Sequence, residues 1–268
     1  MSAAIANTKE GERVLLRRDD GGVAWLTLNR PGQRNALSIE LLTALQREID
    51  AIAGDKAAKV VVIAGAGPAF CSGHDLREMR ANPSRKHYET VFNLCSRLML
   101  SITKLPKPVI ARVHGIATAA GCQLVATCDL AIASEGARFA TPGVNIGLFC
   151  STPMVPLSRA VGRKAAMEML LTGDFVEAAR ARELGLVNRV VPAESLDTEV
   201  NALAQQIIQK SAFIVSIGKE AFYRQTELGL ADAYAYASEV MTRNMLTRDA
   251  EEGIDAFLEK RPPSWEDR

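Results

Sequence analysis

Two segments of the chain place small residues directly after an apolar, strand-like run. The first is PAFCSGHDLREM at 68–79, which follows VVVIA at 60–64, and the second is HGIATAAGCQL at 114–124. Small residues at a junction between a buried strand and a helix allow a backbone N–H group to stand exposed in a cleft. Two converging N–H groups stabilise negative charge on a carbonyl oxygen. The two segments therefore predict a site for chemistry at a carbonyl group.

Length and composition exclude several classes of protein. The 268 residues are 48% hydrophobic and 24% charged, as in an ordinary globular protein, and the net charge of +1 gives no support for nucleic-acid binding. No apolar run is long enough to span a bilayer. Residues 1–20 lack the apolar centre of a secretory signal and carry acidic residues that are unusual in a transit peptide. We therefore expect a cytosolic protein with neither a nucleic-acid nor a membrane partner.

The cysteines indicate neither disulfides nor a metal site. Their number, five, is odd, their neighbours are apolar, and no CxxC pair occurs. Most are expected to be small buried hydrophobic residues, and Cys150 alone stands in a polar segment, CST at 150–152.

The elements that must position the two junctions follow from the hydrophobic pattern. Runs such as 60–64 and 109–113 are apolar and β-branched, which is typical of strands covered on both faces, and they alternate with helical spacing at 38–52 and 87–103. After residue 194 the pattern is helical, with breaks near Ser211 and Gly229. This order predicts an α/β core at 1–200 and a helical C-terminal region at 201–268.

Five motifs in order resemble the enoyl-CoA hydratase/isomerase family, also called the crotonase superfamily. They lie at 28–37, 69–79, 114–134, 171–173 and 185–191. The resemblance implies a crotonase-like ββα spiral core with a helical C-terminal trimerisation region, assembled as a homotrimer or a dimer of trimers. It also implies a role in fatty acid metabolism and an acyl-CoA thioester as substrate, with no additional cofactor.

By the same resemblance, the thioester oxygen would lie between the backbone N–H groups of His74 and Ala120. The residues Ala119 and Ala120 replace glycines that are usual in the family. Alanine fits there if both residues keep a negative φ, so we expect negative φ values at both positions.

The proton-transfer residues of the family are replaced. Hydratases of the family use two glutamates, which correspond here to Gln123 and Gly143. Hydration of an enoyl thioester needs groups that take up and supply a proton, and neither an amide nor a glycine does this. We therefore expect weak hydratase (lyase) activity, which glutamates restored at both positions should raise. The segment ATPGVNIGLFCSTP at 140–153 resembles the enoyl-CoA hydratase domain-containing protein 3 group, which shares the loss.

Two alternative functions stay open. The first is an acyl-CoA-binding or regulatory protein without useful turnover. The second is a thioester hydrolase or another acyl-CoA enzyme that uses His87 with Ser151 or Cys150. By alignment, His87 and Ser151 fall where related dehalogenases carry a base and a nucleophile, and a histidine can activate a hydroxyl or thiol.

Coenzyme A contacts are also implied by the resemblance. Cationic and small residues of the first loop and the first junction would hold the nucleotide, and a C-terminal Phe–Lys pair would come from a neighbouring subunit. These residues are Arg34, Ala36, Ser72, Asp75, Leu76, Phe257 and Lys260.

Overall fold

The computed structural model describes residues 13–268, in which ten strands form two sheets. The larger sheet has the order β1-β2-β3-β5-β7-β10, and all its strand pairs except β1–β2 are parallel. The smaller sheet has the order β4-β6-β8-β9, with β9 antiparallel. The strands are β1 Leu15–Asp20, β2 Val23–Leu28, β3 Val60–Gly65, β4 Ala69–Cys71, β5 Val109–Val113, β6 Ile116–Thr118, β7 Leu130–Ser134, β8 Arg138–Ala140, β9 Val176–Glu177 and β10 Arg189–Val191.

Eleven α-helices connect and follow these strands within residues 13–268, and the last four come after the final strand. They are α1 Ile39–Gly54, α2 Leu76–Ala81, α3 Arg85–Lys104, α4 Ala120–Thr127, α5 Met154–Ala160, α6 Arg163–Thr172, α7 Ala178–Leu184, α8 Leu196–Ile208, α9 Ala212–Gln225, α10 Leu230–Met245 and α11 Arg248–Glu259. Ser38 caps the start of α1, and its Oγ accepts a hydrogen bond from the Leu41 N–H group.

The larger sheet is covered on both faces. Along β3, Val61 and Ile63 belong to the main core, whereas Val60 and Val62 pack with a second cluster that includes Leu196 of α8. Because side chains alternate between the faces of a strand, this double coverage requires an uninterrupted apolar run, which the sequence has. Burial of both faces fixes the larger sheet, whereas the strands β4 and β6, which carry the candidate site, belong to the smaller sheet.

The predicted α/β core followed by helices is confirmed, as are the helix breaks near Ser211 and Gly229. The hydrophobic pattern missed β4 and β6, which have three residues each, although a helix start was expected at the first junction, where α2 begins. The motif at 185–191 contains a strand only at 189–191. The division at residue 200 stays a prediction. Within residues 13–268, no helix has the length and apolarity needed to cross a bilayer.

Candidate active site

The first junction lies between β4 and α2. Gly73 has a φ of +98°, a conformation that side chains rarely adopt, and it turns the chain before His74. The Leu37 N–H group donates to the Gly73 oxygen at 2.7 Å, and the Asp75 N–H group donates to the Leu37 oxygen at 3.2 Å. The His74 N–H group lies between these two bonds and has no acceptor among the described residues. It is therefore free to bind a ligand.

The second junction lies between β6 and α4. The Ala119 N–H group donates to the Ala140 oxygen at 2.9 Å, and Ala120 begins the helix. The Ala120 N–H group, like others in a first helical turn, has no acceptor in residues 13–268. Ala119 has φ 49° and ψ −118°, so the expectation of a negative φ at this residue is wrong. A positive φ is unfavourable for alanine, so the turn from β6 into α4 carries backbone strain at this residue.

The two junctions are in contact. A Cβ atom on Gly73 would lie 3.3 Å from the Ala120 nitrogen and 2.9 Å from the Ala119 Cβ. A Cβ atom on Gly121 would lie only 2.1 Å from the Cys71 oxygen. The two free N–H groups therefore belong to adjoining segments, and glycine at 73 and 121 is what permits this approach.

The His74 side chain is uncharged at neutral pH. Burial lowers the pKa of His74 to about 4, and the nearby backbone of Leu37 opposes the shift only in part. Both ring nitrogens are buried and lack a hydrogen-bond partner among the described residues, and the ring packs edge-on against Phe92 with 5.5 Å between centroids. A ring in this environment is suited to packing and not to holding a positive charge.

Gln123 lies one helical turn after Ala120 and is 3% exposed. Its Oε1 atom is buried without a hydrogen-bond partner in the described part of the chain. The residue also lines a large cavity between α3, α4, α5 and α9. A neutral amide therefore stands at the position that corresponds to the first family glutamate.

Gly143 lies in a short 3-10 helix at Pro142–Ile146, and another segment fills the space beside it. A Cβ atom on Gly143 would lie 3.0 Å from both the Cys150 Sγ and the Leu148 oxygen. The Leu148 N–H group also donates to the Gly143 oxygen at 2.9 Å. Restoration of a glutamate here stays a prediction, and the distances indicate that residues 148–150 would have to shift by a few tenths of an ångström to accept a side chain.

The three alternative catalytic residues are not joined by hydrogen bonds in the described chain. The His87 Nε2 atom is buried without a partner on the first turn of α3, and the Ser151 Oγ donates to the Phe149 oxygen at 3.3 Å. Burial raises the pKa of the Cys150 thiol, although a hydrogen bond with the Gly143 backbone opposes the shift. A neutral, 7% exposed thiol is poorly suited to nucleophilic attack.

The residues expected to hold coenzyme A fall into two groups. Arg34 accepts a hydrogen bond on its oxygen from the Ser72 N–H group at 3.0 Å, so the first loop adjoins the first junction. Ala36 and Leu76 belong to the same two segments, and Asp75 is paired with Arg30 at 2.9 Å. The second group lies at the other end of the chain, where Phe257 and Lys260 are both exposed. No hydrogen bond or ion pair among residues 13–268 links this pair to the first group.

Comparison with known proteins gives the family. The family model for enoyl-CoA hydratase/isomerase matches residues 18–268. The chain belongs to this family. A crystal structure of an enoyl-CoA hydratase from Mycobacterium smegmatis is 56% identical, with a TM-score of 0.93 over 95% of this chain and 99% of that chain. The predicted crotonase-like fold is confirmed by this similarity.

The predicted resemblance to one group of the family is also confirmed. The human enoyl-CoA hydratase domain-containing protein 3, a mitochondrial protein by name, is 47% identical over 263 residues, or 98% of this chain and 87% of its own length. Its crystal structure has a TM-score of 0.92 and covers 94% of this chain and 100% of that chain. The Xenopus laevis relative is 49% identical over 92% of this chain and 84% of its length.

The prediction of a cytosolic location is contradicted by the same relatives. The matching proteins from Xenopus laevis, rat, mouse, human and zebrafish are all named mitochondrial, which points to mitochondria instead. The prediction depended on the charges of the first twenty residues, and residues 1–12 lie outside the described part of the chain.

The sequence did not indicate which residues line the large cavity. Several of them are apolar side chains of α3, α5 and α9, among them Met99, Leu100, Val155 and Phe222. Leu100 is 57% exposed, which places it off the buried face of α3. An apolar residue outside the buried stripe of an amphipathic helix is the signal that could have indicated this wall.

Proposed function

We propose that the protein binds acyl-CoA thioesters and holds the thioester oxygen between the N–H groups of His74 and Ala120. The observation that carries the proposal is the contact between two junctions that each present an unpaired N–H group. An unpaired N–H group in a cleft is costly unless a ligand or water accepts its hydrogen bond. The family membership of the chain supports the thioester as that ligand.

We further propose that hydration of enoyl thioesters is weak. The hydrogen bonds to the oxygen would stabilise an enolate, but the reaction also needs a proton at Cα and a base for the attacking water. Gln123 and Gly143 supply neither group. Each missing acid or base lowers the rate by about 10²–10⁴. The residues implied for coenzyme A, including Lys260 from a neighbouring subunit, complete the proposed site.

The proposed homotrimer, alone or as a dimer of trimers, is supported by exposed apolar side chains on the last helices. Leu230, Tyr234 and Leu246 of the α10 region are 77%, 69% and 83% exposed. Apolar exposure on this scale is typical of an interface. The mass of the protein in solution, measured by light scattering, should be three or six times 28.9 kDa, and a monomer would contradict this part of the proposal.

One experiment separates the proposed function from its alternatives. Loss of the enoyl absorbance of crotonyl-CoA is followed beside calorimetric binding of crotonyl-CoA and of free coenzyme A, with a family member that has both glutamates as the reference enzyme. We expect tighter binding of the thioester than of coenzyme A, and turnover at least about 10⁴ times slower than the reference.

Three other outcomes would change the assignment. Turnover as fast as the reference would contradict the reading of Gln123 and Gly143. Thioester binding with no turnover at all would favour a purely binding or regulatory role. Release of free coenzyme A from the thioester would favour the hydrolase. The structure gives this alternative no support, because among the described residues His87 forms no hydrogen bond with Ser151 or Cys150.

A further inference from the structure

The helix α11 presents its apolar residues to the outside of its own chain. Phe257 and Leu258 are 82% and 71% exposed. The buried residues of the helix are Asp249, Glu252 and Ala256, of which only the last is apolar. An amphipathic helix normally buries its apolar stripe, because this burial supplies most of its stability. Contacts of another kind must therefore hold α11 in place.

Glu252 binds the residues that follow the helix, 261–268, which we call the tail segment. The Arg261 guanidinium donates to both Glu252 oxygens, at 2.6 Å and 2.9 Å, and the Ser264 N–H group donates to Oε1 at 2.8 Å. These bonds, chiefly those from Arg261, lower the pKa of Glu252 to about 2, so the side chain is a carboxylate at neutral pH. A guanidinium that donates twice to one carboxylate fixes the direction of the contact as well as its charge.

Asp249 binds the tail segment further along. Its Oδ1 accepts a hydrogen bond from the Glu266 N–H group at 2.7 Å, and its Oδ2 accepts one from the Asp267 N–H group at 3.0 Å. Oδ2 also accepts a hydrogen bond from the hydroxyl of Ser211, the residue that caps α9. Because Asp249 is only 1% exposed, these bonds replace the water that a buried carboxylate loses.

Trp265 and Asp267 attach the tail segment to the rest of the chain. The Trp265 Nε1 donates to the Gln209 oxygen, just after α8, at 2.8 Å. The Trp265 ring lies against α11, since a Cβ atom on Gly253 would be 3.2 Å from two of its atoms. The Ala212 N–H group, at the start of α9, donates to Asp267 Oδ1 at 2.7 Å. The tail segment therefore lies between α11 and the corner where α8 meets α9.

Lys260 joins α11 to the tail segment in a backbone conformation that is usual for glycine. Its φ is +56°, its N–H group donates to the Phe257 oxygen at 3.3 Å, and the Arg261 N–H group donates to the Ala256 oxygen at 3.0 Å. This pair of bonds ends many helices, with glycine usual at the residue of positive φ because a side chain is strained there. The direction of Lys260 thus depends on α11 on one side and on the bonds of Arg261 on the other.

From these contacts we infer that Asp249 and Glu252 are positioning residues, which hold the tail segment against α11 and thereby direct Phe257 and Lys260 toward the coenzyme A of a neighbouring subunit. The inference rests on the proposed function for the contact of this pair with coenzyme A. The two carboxylates replace the apolar burial that α11 lacks, so its apolar face is left for the neighbouring subunit. Neither carboxylate touches coenzyme A, and each acts through the direction of α11.

The test follows the tail segment and the binding of coenzyme A in the same variants. The chain has two tryptophans, so Trp25→Phe leaves the fluorescence of Trp265 as a measure of whether the tail segment is held. In Asp249→Asn the shape of the side chain is kept, but an NH2 group replaces one of the acceptors. We expect Trp265 emission to shift to the red, and calorimetric affinity for free coenzyme A to fall about tenfold or more, because a contact with a charged group is lost.

A split between two readouts distinguishes positioning from a general loss of structure. The preference for crotonyl-CoA over free coenzyme A, which the junctions determine in the proposed function, should stay the same in Asp249→Asn. Glu252→Gln, which removes one acceptor of Arg261, should act in the same direction. Light scattering should give an unchanged mass, so that the neighbouring subunit is still present.

A second variant and a matched control make the test decisive. In Gly253→Leu the new side chain takes the place of the Trp265 ring, yet leucine favours a helix more than glycine does. This variant should repeat the red shift and the loss of coenzyme A affinity without weakening α11 itself. Asp255→Asn removes the same charge from an exposed position of α11, and it should change neither readout.

Lys260→Ala separates the inference from the function on which it rests. It should lower coenzyme A affinity while the Trp265 emission stays the same. An unchanged emission in both Asp249→Asn and Gly253→Leu would overturn the inference alone. So would a released tail segment with full coenzyme A affinity where Lys260→Ala has lost it. Affinity that Lys260→Ala leaves unchanged would instead contradict the proposed contact of α11 with coenzyme A.

Discussion

The two strand-to-helix junctions and the positions of Gln123 and Gly143 differ in the chemistry that their groups can support. In the proposed function, the junctions contribute backbone N–H groups, which survive the substitution of side chains. At the two positions that the family resemblance pairs with glutamates, the chain has an amide and a glycine, and neither transfers protons. A site can therefore keep its hold on a carbonyl oxygen while it loses the means to move protons.

The two regions also differ in how easily the family pattern could be recovered. The junctions need small residues because the chains touch, as the 2.1 Å between a Gly121 Cβ and the Cys71 oxygen indicates. At Gly143, the Cys150 Sγ and the Leu148 oxygen limit the space for a side chain. We therefore expect that a glutamate at this position requires residues 148–150 to shift, so that one substitution alone does not restore the group.

The largest effect is expected from Gly121→Ala, which should move the two junctions apart. The new Cβ would force α4 away from β4, so the Ala120 N–H group would move away from that of His74. We expect the preference for crotonyl-CoA over free coenzyme A, measured by calorimetry, to fall about a hundredfold. The overpacking should also lower the free energy of unfolding by about 1–3 kcal/mol.

Gly136→Ala is the control for this substitution, because a Cβ at Gly136 meets nothing within 4 Å. It should leave both the thioester preference and the stability within about 0.5 kcal/mol of the unchanged protein. A thioester preference that survives Gly121→Ala would mean that the two N–H groups do not act together.

The first glutamate position is tested by Gln123→Glu, which introduces a carboxylate with little change of side-chain volume. We expect crotonyl-CoA hydration, followed by absorbance, to rise about a hundredfold, because one positioned base is regained. Gly143→Glu, in contrast, should lower stability by about 1–3 kcal/mol and add nothing to the rate, because residues 148–150 occupy its place. A large gain from Gly143→Glu would show that this segment moves aside readily.

Much of the fold could be predicted because most strands of the larger sheet have five or six residues and β3 is buried on both faces. The apolar run at β3 and the Ser38 cap of α1 leave a plain local signal, and the order of motifs supplies the spiral. The strands β4 and β6 could not be found by pattern, since three residues complete less than two periods of alternation. These two short strands carry the junctions, so the site lies where periodicity is weakest.

The candidate site was predictable in its residues but not in its contacts. The positions of His74, Ala120, Gln123 and Gly143 follow from motif order alone. The positive φ of Ala119 depends on how β6 turns into α4, and the closure over Gly143 depends on residues 148–150. Neither feature leaves a trace in hydrophobic pattern, because both arise from contacts between segments. The cavity likewise exists only once α9 packs against α3 and α5.

At His74, the role of the backbone N–H group can be tested separately from that of the imidazole ring. In the unfolded chain the ring titrates near pH 6.5, whereas in the folded protein its pKa is about 4. As pH falls through this window, the unfolded state binds a proton that the folded state does not, so stability falls. We expect this loss between pH 7 and pH 4 to be about 2–3 kcal/mol smaller in His74→Gln, measured by urea unfolding.

The N–H group remains in His74→Gln, so the thioester preference should stay and should not vary between pH 5 and pH 8. The control is His114→Gln, because burial also lowers the pKa of His114 but a hydrogen bond between its Nε2 and the Gly67 oxygen opposes the shift. It should show a smaller difference in pH dependence. A thioester preference that disappears in His74→Gln would assign the ring, and not the N–H group, to the site.

The smallest effect is expected from Ala119→Gly, which asks whether strain at the second junction is needed to hold the carbonyl oxygen. At φ 49° and ψ −118° an alanine is strained and a glycine is not, so the substitution should stabilise the protein by about 1 kcal/mol, or roughly 2–4 °C in Tm. The bond from the Ala119 N–H group to the Ala140 oxygen does not involve the methyl group, so the Ala120 N–H group should keep its direction and the thioester preference should not change. Ala126→Gly, within α4, should instead destabilise by about 0.5–1 kcal/mol. A lower Tm for Ala119→Gly would mean that the contact of its methyl group with Gly73 outweighs the strain, and the junctions would then depend on a side chain after all.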